Sequence, residues 1–149
     1  MFVSVTRLRL RSLLFLPQFF NLSSGSIQQA AASPGFRGGA TLFDRKFTFW
    51  TITMWDGERD MKSYRGAGAH AQAMPKLAVW CSEAVVSHWN QDSAELPSWP
   101  DAHRHLMASP RWSTVRHPGK YHGQVAIREP DLAAWRNTPM PSPKLLAMP

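Results

Sequence analysis

The stretch that most constrains this chain is TFWTITMW at residues 48–55, followed at once by DGERDM and, a few residues on, by GAGAH ending at His70. Eight residues, all but Met54 β-branched or aromatic, read as a strand. Asp56 then predicts a helix N-cap, with Glu58 and Asp60 in the first turn, where acidic side chains complement the helix dipole. A strand that runs straight into a capped helix restricts what the flanking segments can become.

Those segments complete a pattern. Residues 2–10 alternate, with Val3, Val5 and the aliphatic part of Arg7 on one side and Phe2, Ser4, Thr6 and Leu8 on the other. A helix follows from 13–17 toward Ala32, since Pro17 is tolerated only near a first turn. Its centre, SSGS at 23–26, is poor helix material and predicts a kink or a helix held by packing. A second strand over 36–43 contains Gly38 and Gly39, the mark of a bulge or of a group approaching the backbone. A charged turn at 44–46 leads into the third strand, 47–55. A short helix over 56–64, a break at 66–68, a second helical piece from 69 to about 80 with Pro75 as a kink, and a strand over 83–89 follow. The order β-α-β-β-α-β is the ferredoxin-like split pattern: an α+β fold with a four-stranded antiparallel sheet and two helices on one face. The other face would carry residues such as Trp50, Ile52, Met54 and Val85, or their neighbours in the alternate register. A monomer seldom exposes such a patch, so two sheets packed face to face in a homodimer are expected.

The 149 residues leave room for one domain and a tail. The expected organisation is a domain over 1–91, an extension over 92–118 with a short helix capped by Ser98, and an irregular or disordered tail over 119–149, rich in proline, with one weak helical turn over 130–135. The formal charge is +7, with ten Lys/Arg against five Asp/Glu in residues 1–91 and seven against five thereafter. No basic stripe forms, which argues against nucleic acid as a partner. Cys81 is the sole cysteine, which excludes an internal disulfide and fits a reducing, cytoplasmic setting. The N-terminal arginines and the apolar run after them imitate a secretory leader, but the run is short and holds Pro17, so it reads as mature protein. No run reaches the length of a membrane span.

The β-α-β-β-α-β order, the PGF entry to the second strand at 34–36, the TFWTITMW strand with its acidic cap and the downstream Gly-Ala-His70 resemble the dimeric α+β barrel superfamily. Within it, the chain resembles antibiotic-biosynthesis-monooxygenase-like and spheroidene-monooxygenase-like proteins over roughly residues 1–90. The resemblance implies a homodimer with a pocket between each sheet and its helices. It also implies oxidation of a hydrophobic conjugated small molecule, with haem as a candidate cofactor. The SSGS helix centre departs from a well-formed first helix, which bears on the pocket's shape.

His70 is the main candidate for chemistry. Met74 and Leu77 follow at i+4 and i+7, so it shares an apolar helical stripe. The bland reading is a core histidine with one hydrogen bond. The sharper one is an axial haem ligand or a proton-transfer group. Arg65, beside the glycine pair, is a surface charge or the partner of a carboxylate. Trp50, Trp55, Trp80 and Met74 are core or interface residues, or the walls of a pocket for a flat apolar substrate. His88 in the fourth strand reads as structural or interfacial, with a pocket-facing position as the lesser alternative. His103 and His105, two apart on a helix, face different ways and do not share a metal. No catalytic dyad, triad, Cys/His cluster or phosphate loop is present. The leading reading is therefore a monooxygenase-like enzyme. The alternatives are a non-catalytic haem-type binding protein and a ligand-free structural homodimer.

Overall fold

A computed structural model describes residues 1–133 and 136–140. Strands β1 (Phe2–Leu10), β2 (Phe36–Phe43), β3 (Thr48–Trp55) and β4 (Cys81–Asn90), with helices α1 (Leu16–Ala32), α2 (Glu58–Arg65) and α3 (Gly68–Trp80), reproduce the β-α-β-β-α-β order. The sheet is larger than expected. Helix α4 (Trp99–Ala108) leads to β5 (Arg111–Trp112), and β6 (Arg136–Pro139) lies farther on, so six antiparallel strands run in the order β5-β4-β1-β3-β2-β6. The four-stranded sheet is thus corrected to six, and the irregular tail contains an edge strand paired with β2. Of the helical turn expected over 130–135, residues 134 and 135 lie outside the described residues, as do 141–149, and 130–133 are not helical.

The face expected to be bare is covered by the chain itself. Trp99, Ala102 and Leu106 of α4, at i, i+3 and i+7, form one helical stripe. They pack on Val3, Val5, Trp50, Ile52 and Val85, with Ile127 completing the cluster. Ser98 caps α4 as expected, its hydroxyl accepting from Asp101 N–H at 3.3 Å. His103 Nε2 bonds the Ile127 carbonyl at 2.7 Å and His105 stacks on Trp89 at 3.8 Å, so both histidines anchor this cover. Trp99 Nε1 donates to Asn137 Oδ1 at 3.2 Å and ties α4 to β6.

Under the cover, charge is forced to pair. Arg7, expected to lend only its aliphatic part, donates to Glu83 Oε2 at 2.6 Å, and the two side chains are 5% and 3% exposed. Arg9 reaches the second oxygen of Glu83 at 3.2 Å.

The helix face departs from one local expectation and bears out two. Asp56 does not cap α2; Gly57 does, and the Asp56 carboxylate takes a two-pronged bond from Arg37 at 2.5 and 2.8 Å. Helix α1 is one unbroken segment through its SSGS centre. Gly25 stands where α1 meets α3, and a Cβ there would lie 3.1 Å from that of Ala69, so the helix is held by close packing. Gly39 does admit another group: a Cβ there would lie 2.7 Å from Met140 Sδ. The register of β2 against β3 slips beside it, between Phe36 and Gly38, as the glycine pair predicted.

Replacing Glu83 by Leu is expected to strand the Arg7 guanidinium and lower stability by about 3–5 kcal/mol, whereas Arg7→Leu combined with Glu83→Leu should recover most of that loss. Urea denaturation of the two variants beside wild type checks it.

Candidate functional site

Strands β1 to β4 send alternate side chains toward α1 and α3, and the helices do not fill the space above them. The result is a cleft of about 510 Å³ between sheet and helices. Its aromatic and aliphatic walls include Phe19, Phe49, Trp80 and Leu77. Ser4, Thr6, Thr51 and Thr53 form the middle of its floor, and the extension closes its rim through Arg111, Thr138 and Met140. A smaller cavity of about 270 Å³ on the opposite face surrounds the Arg7–Glu83 pair and holds none of the expected site residues.

His70 stands in the first turn of α3 and lines the cleft. Its backbone N–H donates to Gln29 Oε1 at 3.0 Å, which locks α3 to α1. Its Nδ1 lies 3.2 Å from the Arg65 carbonyl oxygen. A carbonyl only accepts, so Nδ1 carries the proton and Nε2 keeps its lone pair. Burial lowers the pKa of the ring, which keeps it neutral. The Tyr64 ring meets it edge-on at 4.7 Å, and Tyr64 donates its hydroxyl to the Ser26 carbonyl at 3.2 Å.

His88 has the opposite arrangement. Arg111 of β5 contacts its Nδ1, and a guanidinium only donates, so Nδ1 is the acceptor and Nε2 carries the proton. Burial, then the positive charge of Arg111, pushes its pKa down to about 4. The cleft thus presents a neutral proton acceptor from α3 and a neutral donor from β4.

The expected site residues divide. His70, Trp80, Met74 and Arg65 all line the cleft, with Trp80 buried and Met74 and Arg65 exposed at its edge. Trp50 borders the cleft along its strand, but its indole packs on the far face, with Arg7 above the ring at 5.5 Å and Nε1 turned to Asp44 Oδ2 at 3.4 Å. Trp55 is fully buried beyond the cleft's end, stacked on Tyr64 at 5.0 Å, with its Nε1 unpartnered among the described residues. His88, for which facing the pocket was the lesser alternative, lines the cleft, and Tyr64, Arg111 and the hydroxyl floor were missed. Alternating Ser/Thr at positions 4 and 6, and 51 and 53, was the available signal for the floor.

The donor set around His70 fits an axial imidazole. An Nδ1–H held by a backbone carbonyl with Nε2 free is how a protein orients a histidine toward a metal. Among the described residues no group of three or more His, Cys, Asp or Glu is placed to hold a metal ion by side chains alone. No helix among them is long and apolar enough to cross a membrane.

The architecture recurs in two solved structures from Nitrosomonas europaea. One, provisionally described as an antibiotic biosynthesis monooxygenase, superposes with a TM-score of 0.54 at 12% identity, over 62% of this chain and all of its own. The other, a protein of unknown function, gives 0.53 at 16% identity, over 65% of this chain and 94% of its own. At this identity the likeness is one of fold. Both leave about a third of this chain unmatched. No family model and no curated protein matches the chain.

The low pKa of His88 has a signed consequence. Between its ordinary value of 6.5 and about 4, the unfolded chain binds a proton that the folded chain refuses. Its contribution to stability is complete above pH 6.5 and is lost as pH falls through that window. Urea midpoints measured across the window should therefore fall more steeply for wild type than for His88→Gln.

Proposed function

We propose that the chain is a monooxygenase-like enzyme that oxidises a hydrophobic conjugated small molecule in the cleft between sheet and helices. The observation that carries the reading is His70, neutral, oriented through Nδ1, and presenting a free Nε2 in a large aromatic-walled space. Such a base suits a carbon acid flanked by conjugated rings. Nε2 takes the proton, and the resulting carbanion is electron-rich enough to reduce dioxygen. When a CH₂ becomes a carbonyl, the substrate gives up four electrons and dioxygen accepts four, leaving one oxygen atom in the product and one in water. The buried aromatic walls keep bulk water from reprotonating the carbanion. The likeness in fold to a structure described as a monooxygenase supports this reading. Helix α4 covers the sheet face on which two sheets were expected to pair, and the residues this reading uses all come from one chain.

A tricyclic ketone with an acidic CH₂ between its rings is the probe. Dioxygen uptake with anthrone should fall by about 10²–10⁴-fold in His70→Ala, the usual worth of a positioned general base, with probe affinity little changed. Unaltered turnover in that variant would remove His70 from the chemistry.

The second reading is a non-catalytic holder of a planar haem-type ligand, favoured by the carbonyl-oriented imidazole. There His70 Nε2 would ligate the iron and Arg65 would meet a propionate; the bound haem would supply a redox centre. Titration with hemin should then give a Soret band that is shifted or lost in His70→Ala. Identical spectra with and without the imidazole would dismiss this reading.

A further inference from the structure

The cleft's floor is graded. Cross-strand register sets its inward-facing residues in three rows: His88, Ser4 and Thr53; then Val86, Thr6, Thr51 and Thr41; then Ala84, Leu8, Phe49 and Phe43. Each row is two residues from the next, about 7 Å along the strands. Polarity falls from the first row to the last. The hydroxyls of Ser4, Thr6, Thr51 and Thr53 make no hydrogen bond to another described residue, and none is among the buried unpartnered polar atoms, so they face the open space of the cleft. A hydroxyl both donates and accepts, so this floor can meet the polar atoms of something laid on it.

Charge is graded with it. No Asp or Glu lines the cleft. Arg111 stands beside the first row through its bond to His88, and Arg65 stands at the end of α2; the positive charge of both acts on the His88 ring, opposed by the carboxylate of Glu58, which is itself paired with Lys62 at 3.0 Å. Neither guanidinium is in ion-pair contact with a carboxylate among the described residues. The bond to Nδ1 spends one edge of Arg111 and leaves its other N–H groups available, and it fixes His88 as an Nε2–H donor.

We propose that the corner formed by Arg111, Arg65 and His88 binds a carboxylate on the ligand. The ligand is then an amphiphile with its acid group at this corner and its conjugated body lying down the hydroxyl rows toward Leu8, Phe49 and Trp80. This rests on the cleft being the substrate site. It goes further by assigning the ligand's chemical class and direction, and it gives Arg111, a residue of the extension, the part of a specificity determinant. His88 is a positioning residue that acts through its contact with Arg111.

The test uses two fluorescent probes of one shape, 9-anthracenecarboxylate and 9-anthracenemethanol, titrated into the full chain at low salt. Wild type should bind the carboxylate about tenfold more tightly, the worth of one charge-assisted contact. Arg111→Gln and Arg65→Gln should each erode that preference while leaving the neutral probe's affinity unchanged. Both arginines are exposed, so the variants are expected to fold, which circular dichroism verifies. Equal affinities for the two probes in wild type, or equal losses for both in the variants, would overturn the carboxylate assignment alone. Thr51→Trp fills the middle of the cleft. Binding that survives it, or a wild type that binds neither probe, would overturn the cleft as the ligand site and the assignment with it.

Discussion

An apolar face of an antiparallel sheet must be covered, and this chain covers one such face from within itself. The central strands β1 and β3 carry Val3, Val5, Trp50 and Ile52 toward α4, and all four are buried. Closing that face removes water from the groups beside the apolar patch. Arg7 and Glu83 cannot remain apart there, since an unpaired charge in such a place costs several kcal/mol, of order 3–5 when one partner is removed. The indole N–H of Trp50 is likewise driven to Asp44, whose other oxygen accepts from the backbone N–H groups of Lys46 and Thr48. The hairpin at 44–48, where Phe47 has a φ of 56°, is therefore stiffened by the same aspartate that satisfies the buried indole.

What was legible in the sequence was local. The alternation of β1 assigned every side chain from Phe2 to Leu8 to its observed face, because a period of two leaves no freedom once one residue is buried. What was not legible depended on residues distant in sequence. β6 reads RNTP, with one β-branched residue and a proline, and has little intrinsic strand preference. It pairs because the edge of β2 offers unmatched backbone groups. Asp56 has every local qualification for a helix cap, yet Arg37 lies opposite across the bulge in β2, and a two-pronged guanidinium bond outcompetes the cap.

The tryptophans show the same division within the site. Trp50 and Trp55 were read together as walls of one pocket, but five residues apart on one strand is an odd interval, and their side chains must leave opposite faces. Trp55 does point toward the helices, but at the strand's last residue, where Tyr64 and Phe36 enclose it. Of the three tryptophans expected there, Trp80 at the end of α3 is the one that reaches the cleft as a wall. The floor was invisible for a different reason. Serine and threonine in a strand are unremarkable one strand at a time, and their row appears only when three registers are superimposed.

The two histidines of the cleft then differ by neighbour alone. Each has a lowered pKa, chiefly from burial, so each is neutral and must choose a tautomer. Burial cannot decide which nitrogen keeps the proton; the partner of Nδ1 decides. The Arg65 carbonyl, an acceptor, assigns the His70 proton to Nδ1, and the Arg111 guanidinium, a donor, excludes it from the same atom of His88. Arg111 belongs to the extension, so the strand that widens the sheet also sets the protonation pattern of a histidine in the ferredoxin-like part. A chain with the same first four strands and no β5 would leave that nitrogen to solvent, and its cleft would lose a fixed donor without losing any residue of its own floor.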